Sequence, residues 1–139
     1  MLFSKLSKKT TIELRCVSDK SAQKASDMLV VMTTMPNSKS AQKMASDLVG
    51  KKLAACVSIL EKVTSIYYWK GKVEKSREVL LLIKIRNAHW KATQKFMLSQ
   101  HPYELPELVA LPVTHGSKKY LDWIEPKNCI RIAEVATTS

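Results

Sequence analysis

A long stretch of β-forming residues dominates the middle of the chain and limits the folds available to it. Residues 55–59 and 63–69 predict one long strand with a bulge around Glu61 and Lys62, and residues 73–85 form the return strand after a turn at Gly71. Strands in globular domains average only about five or six residues. A hairpin of this length extends beyond the core of one small domain, and therefore favours an oligomer in which a neighbour covers it.

Regular elements flank the hairpin on both sides. An apolar run at 28–34 predicts a strand buried on both faces, and Pro36 and Asn37 then predict the start of a helix over 39–52. After the hairpin, the pattern predicts a helix capped by Asn87, a strand, a short helix and an edge strand, at 87–100, 107–113, 116–124 and 129–132. The order β-α-β-β-α-β with a terminal helix predicts an α+β fold, the ferredoxin-like sandwich.

A stiff loop with several reactive side chains separates the second predicted helix from the strand at 107–113. It holds an imidazole, a phenol and two carboxylates, at His101, Tyr103, Glu104 and Glu107. Two prolines within the loop restrict the backbone to extended conformations. A rigid loop that presents ligating side chains beside a strand is a common place for function. The alternative interpretation is a structural turn.

The net charge of +11 on 139 residues raises the question of an anionic partner. The basic residues, however, are spread along the chain, mostly as single lysines, and only three adjacent pairs occur, at 8–9, 51–52 and 118–119. This distribution favours a solvated basic surface over a dedicated nucleic-acid site. No apolar run approaches the ~20 residues that a membrane-spanning helix needs.

The ends of the chain and its cysteines bear on where the protein works. Residues 1–27 are basic but lack the apolar core of a secretory signal peptide, and we expect a flexible extension ahead of a domain at 28–139. Organellar targeting by this extension remains open. Cys16, Cys56 and Cys129 are too far apart, and too few, for a disulfide framework or a zinc knuckle. Reduced thiols indicate a cytoplasmic protein.

Several motifs, in one order and at compatible spacing, resemble the CutA family of divalent-cation-tolerance proteins. They are LAACV at 53–57, TSIYYWKGK at 64–72, the strand at 78–84, HPYELPE at 101–107 and YLDWI at 120–124. The resemblance implies a homotrimer in which the long hairpins of three ferredoxin-like subunits join edge to edge, similar in fold and assembly to the PII signalling proteins. It further implies a role in tolerance of copper and other divalent cations.

The resemblance also suggests a metal site. His101 lies where the family pattern has a metal-binding histidine, and an imidazole suits copper or zinc. The pattern has a second histidine directly before it, where this chain has Gln100, and a cysteine on the first strand, where this chain has Thr33. Carboxylates from Glu104 or Glu107, in the same or a neighbouring subunit, could replace them. The alternative is a hydrogen-bonded histidine that shapes a cleft between subunits.

A second hypothesis places a ligand pocket between subunits. Its walls would be mostly aromatic, with a lysine and a thiol, from Cys56, Tyr68, Trp69, Lys84, Tyr103 and Trp123. Such a cleft would suit a small anion or a protein partner, as in a PII-like signalling or scaffold module. The simpler interpretation is that the aromatic rings only pack and that Cys56 is a small buried hydrophobic residue. No phosphate-binding loop or nucleophile triad is present, so we expect no enzyme and no organic cofactor.

Overall fold

The computed structural model describes residues 27–124, and the first strand and helix follow from the local sequence. Strand β1 spans Met28–Met35, and its side chains alternate between fully and partly buried positions. Helix α1 spans Ser38–Gly50. The side chain of Asn37 caps it by accepting a hydrogen bond of 2.9 Å from the backbone N–H of Ser40. The predicted cap and helix are confirmed, with the helix ending at Gly50 rather than at residue 52.

The predicted hairpin forms at its full length. Strands β2, Cys56–Trp69, and β3, Lys72–Arg86, pair antiparallel, and their register shifts between Leu60 and Val63, where the bulge was predicted. The two residues of the turn, Lys70 and Gly71, both have positive φ, 49° and 79°. Positive φ at both central positions is the signature of a type I′ turn, which matches the twist of the flanking strands.

The second half of the fold differs from the sequence prediction at two boundaries. Asn87–His89 form a 3₁₀ turn, and helix α2 begins only at Trp90 and ends at Gln100, with no side-chain cap. The prediction that Asn87 caps this helix is therefore wrong; its backbone N–H instead donates to the carbonyl of Asp27 at 2.6 Å. Strand β4 is Val109–Pro112, shorter than predicted, and a short helix α3 spans Lys118–Ile124. The predicted edge strand at 129–132 and the extension before residue 27 lie outside the described residues.

The four strands form one antiparallel sheet in the order β2-β3-β1-β4. Alternate residues of β1 and β3 point to the face that α1 and α2 cover, and there they are buried. The core consists of apolar side chains from both strands and both helices, including Val31, Met35, Met44, Leu48, Leu81, Ile83, Ile85 and Met97. This is the predicted α+β arrangement with helices on one face of the sheet.

The opposite face of the sheet is covered only at one end. There α3 packs Leu121 and Ile124 against Met28. Further along, the same face leaves apolar side chains of β2 and β4 exposed, among them Leu60, Val109 and Leu111. The prediction that β1 is buried on both faces is therefore met on one face only within a single chain.

The hairpin continues past the rest of the sheet. Pairing between β1 and β3 ends at Met35 and Val79, whereas β2 and β3 remain paired as far as Trp69 and Lys72. This outer part, residues 63–78, is a two-stranded ribbon about 20 Å long at ~3.4 Å per residue. In the part of the chain that the structure describes, no helix has the length and apolarity to span a membrane.

Candidate functional site

The loop of residues 101–108 lies where β1 ends and the ribbon begins. His101 is the first residue after α2 and turns the chain from helical to extended backbone, with φ −70° and ψ 133°. This direction follows from Pro102, because a residue before proline avoids helical backbone angles. The loop thereby brings its side chains against Thr33 of β1 and Glu78 of β3.

Two hydrogen bonds hold the ring of His101. Its Nε2 lies 2.9 Å from Oγ1 of Thr33, and its Nδ1 lies 3.1 Å from the backbone nitrogen of Tyr103. A backbone N–H can only donate, so Nδ1 is the acceptor and carries no proton. Nε2 therefore carries the proton of the neutral ring and donates it to Thr33. The ring is fixed in one tautomer, with the lone pair of Nδ1 directed toward the loop.

The surroundings keep this ring uncharged. Burial lowers the pKa of His101, a hydrogen bond to the backbone at Thr34 and the charge of Glu78 raise it, and the net pKa lies below the ordinary 6.5. At neutral pH the imidazole is therefore unprotonated at Nδ1, which is the state that a metal ligand requires.

Glu78 is a buried carboxylate beside this histidine. Its side chain is only 8% exposed, and its Oε2 accepts a hydrogen bond of 2.8 Å from the hydroxyl of Tyr103. Burial raises the pKa of Glu78, but hydroxyl hydrogen bonds lower it to a net value below the ordinary 4.5. The donors are Ser65, Tyr103, Thr34 and Ser76. Glu78 is therefore charged at neutral pH although it is buried.

Tyr103 connects the two groups. Its backbone N–H donates to His101, its hydroxyl donates to Glu78, and the two rings of residues 101 and 103 lie 5.3 Å apart. Burial, followed by the hydrogen bond and charge of Glu78, raises the pKa of Tyr103 to about 12. The phenol thus keeps its proton and remains a donor to the carboxylate at all physiological pH values.

The two loop carboxylates that the sequence suggested lie elsewhere. Glu104 and Glu107 are both exposed to solvent. Across residues 27–124, no three histidine, cysteine or acidic side chains come close enough together to hold a metal ion. A site built from His101, Glu104 and Glu107 therefore needs a second chain. Gln100, at the other departure from the family pattern, is also exposed.

The residues predicted for the second pocket divide into separate regions of the chain. Cys56 pairs with Lys84 across the strands on the open face, and its Sγ lies 3.8 Å from the hydroxyl of Tyr120, whose ring stacks on Trp123. Tyr68 and Trp69 lie at the hairpin end, twelve positions along β2 from Cys56, roughly 40 Å at ~3.3 Å per residue. Tyr103 belongs to the His101 region. Only an assembly of chains could bring the three groups together.

Sequence reasoning missed Glu78 and the hydroxyls around it. Counting alternate residues back from the apolar run at 79–85 places Glu78 on the less buried face of the sheet, where a glutamate is expected to be solvated. Nothing local to β3 shows that Tyr103, twenty-five residues later, covers it. The available signal was the position itself, since Glu78 lies inside one of the motifs that carry the resemblance.

Comparison with known proteins decides the family. The profile of the CutA1 divalent ion tolerance protein family matches residues 29–127. This chain belongs to the CutA1 family. A divalent-cation tolerance protein CutA from Yersinia pestis is 44% identical over 108 residues, which cover 78% of this chain and 91% of that protein. The predicted resemblance is confirmed.

Solved CutA structures share the fold as well as the sequence. The Cut A1 protein from Thermus thermophilus superposes with a TM-score of 0.67 at 42% identity, covering 69% of this chain and 93% of that one. CutA1 from Oryza sativa gives a TM-score of 0.68 at 39% identity, covering 70% and 89%. The α+β architecture of the CutA1 domain is therefore common to bacterial and plant relatives.

Proposed function

We propose that this CutA1 chain is a homotrimeric protein that binds divalent cations, copper foremost, and acts in divalent-cation tolerance. The observation that carries the proposal is His101, a half-buried imidazole that is neutral, held in one tautomer and placed beside a buried negative charge. Relatives described as divalent-cation tolerance proteins support the same role. The proposal assigns the chain a cytoplasmic location and no catalytic activity.

The ribbon supports the trimer. Two-stranded hairpins are marginally stable alone in water. Here the ribbon exposes Ile66 at 68%, and Tyr68 and Val73 at 73% each. All three project from one face of the ribbon, since Tyr68 pairs with Val73 and Ile66 is two residues away. A second chain that covered them would bury apolar surface and complete the sheet edges.

The donor atoms of the site fit a divalent cation in part. Nδ1 of His101 has the free lone pair, and the hydrogen bond from Nε2–H to Thr33 is the arrangement that orients metal-binding histidines in other proteins. Thr33, at the family's cysteine position, thus serves as a partner of the ligand rather than as a ligand. One chain offers a single oriented imidazole, and carboxylates such as Glu104 and Glu107 of a neighbouring chain would complete the set.

Calorimetric titration with copper(II) and zinc(II) tests the proposal. We expect the full-length protein to bind copper stoichiometrically, and His101→Ala to weaken binding by about tenfold or more, since one imidazole ligand is lost. His115→Ala is the matched control, because His115 is exposed and contacts only the neighbouring Thr114. Equal affinities for the wild type and His101→Ala would remove His101 from the site, and no binding by the wild type would refute the proposed function.

A second function, a PII-like module that binds a small anion or a protein partner, is favoured by one observation. The half-buried Lys84 lies opposite Cys56 on the open apolar face, where its ammonium group donates to the hydroxyl of Ser58. Trp123 of α3, on the same side of the sheet, is 52% exposed. A screen of nucleotides and small anions by thermal shift tests this alternative. We expect a ligand that raises the melting temperature of the wild type to have no effect on Lys84→Met, and silence across the screen would dispose of the module.

A further inference from the structure

Tyr103 occupies the acceptor atoms of both His101 and Glu78, and this arrangement shows which carboxylate can act with the histidine. The backbone N–H of Tyr103 uses the Nδ1 lone pair, and its hydroxyl uses Oε2 of Glu78. Both acceptors belong to groups that bind divalent cations, a neutral imidazole and a carboxylate. One residue therefore blocks the two atoms that a cation at this position would contact.

Glu78 is better prepared for this role than the loop carboxylates. It is buried at 8% exposure, whereas Glu104 and Glu107 are exposed to solvent, where water screens their charge. Its charge already reaches His101, whose pKa it raises. Lysine and arginine are absent from the groups that shift its pKa, and all of its hydrogen-bond donors there are neutral hydroxyls. A buried carboxylate with neutral partners attracts a cation strongly.

We propose that Glu78 is the carboxylate that acts with His101 in cation binding, and that Tyr103 is a latch that must release both groups before a cation binds. The inference rests on the proposed function, since it takes His101 as a ligand. The remaining hydroxyls of Thr34, Ser65 and Ser76 keep the carboxylate oriented when the phenol leaves. The latch makes occupancy depend on cation concentration, because part of the binding free energy goes into breaking the two hydrogen bonds.

Two substitutions with opposite expected effects test the latch. Glu78→Gln keeps the shape of the side chain and removes its charge, and we expect copper affinity to fall by ~10- to 100-fold, the range for groups that support a metal ligand. Tyr103→Phe keeps the ring and the backbone N–H but frees Oε2 of Glu78, and we expect affinity to rise by about tenfold, the value of one hydrogen bond to a charged group. A merely structural role would not make removal of a hydroxyl improve binding.

The experiment is calorimetric titration of the full-length variants with copper(II) alone. Glu74→Gln is the matched control: it removes the same charge from β3, four residues away toward the hairpin end, and should leave the affinity unchanged. Glu104→Gln and Glu107→Gln should change it less than Glu78→Gln does. If His101→Ala abolishes binding while Glu78→Gln and Tyr103→Phe both bind as the wild type, the latch is refuted and the proposed function stands. If the wild type does not bind copper, both are refuted.

Discussion

The hairpin passes through two environments, and the difference between them shows what one chain can and cannot stabilise. At 79–85, β3 lies between two strands and under two helices, and every second side chain is buried. At 72–78 the same strand has one neighbour, and its apolar side chain, Val73, is exposed. The inner half is a finished core. The outer half has the pattern of a β-sheet but lacks the contacts that stabilise one.

The buried charge lies at the boundary between these halves. Glu78 directly precedes Val79, the first core residue of β3, and the loop of residues 101–108 covers it. Because β1 ends at Met35, the loop can reach β3 only here. The candidate site therefore lies where the covered sheet becomes a free ribbon, and within reach of any chain that joins the ribbon.

The largest effect is expected from the core half. Ile83 is fully buried among side chains of β1 and α1, and Ile83→Ala should lower the free energy of unfolding by ~2–5 kcal/mol through lost burial and the cavity left behind. Urea unfolding at one fixed protein concentration measures this. Lys72→Ala, at the exposed hairpin end, should stay within ~0.5 kcal/mol of the wild type. Equal losses in both variants would erase the distinction between the two halves.

A charge on the ribbon should affect assembly instead. Ile66→Lys should weaken subunit association by about tenfold or more, because burying an isoleucine side chain is worth ~1.5–3 kcal/mol. Light scattering across a dilution series measures the change in mass. Val49→Lys is the control, since Val49 is also an exposed aliphatic residue, at 42%, but lies on α1. Dissociation of Val49→Lys, with Ile66→Lys still associated, would move the interface to the helices.

The turn at the end of the ribbon depends on one glycine. Gly71 has φ of +79°, and no atom lies within 4 Å of the position that a β-carbon would take, so Gly71→Ala costs only the strain of left-handed backbone, ~1–2 kcal/mol. Gly50 also has open space around it but ends α1 without positive φ, so Gly50→Ala should be neutral or stabilise by up to ~1 kcal/mol. Thermal unfolding of both variants should give shifts of opposite sign or clearly different size. A destabilised Gly50→Ala beside an unaffected Gly71→Ala would contradict the turn geometry.

The smallest effects concern pH at the boundary. Because the folded-state pKa of His101 is depressed, its contribution to stability is complete above its ordinary pKa of 6.5 and is lost as the pH falls through the folded value. The pKa of Glu78 is likewise depressed, so its contribution is lost only as the pH falls below 4.5. Unfolding followed from about pH 8 to about pH 3 should show His101→Gln removing part of the first decline and Glu78→Gln part of the second. A variant that changed the opposite range would overturn the assignment.

Much of the fold could be predicted from the sequence because it is encoded locally. Asn37 before an amphipathic run, the bulge near Glu61 and the turn at Gly71 each specify their own neighbourhood. The start of the helix after the hairpin could not be placed correctly, because Asn87 satisfies its backbone through Asp27, sixty residues away in sequence. His101 could be found from its motif. Glu78 could not, because its burial depends on Tyr103 folding over it.

The claim that connects these results is that the ribbon is an assembly surface, and the mass of the protein in solution tests it most directly. Sedimentation equilibrium of the full-length wild type should give three times the 15.7 kDa of one chain, and the same mass on dilution through the micromolar range. A mass of one chain across that range would leave the exposed side chains of the ribbon without a partner and would contradict the account.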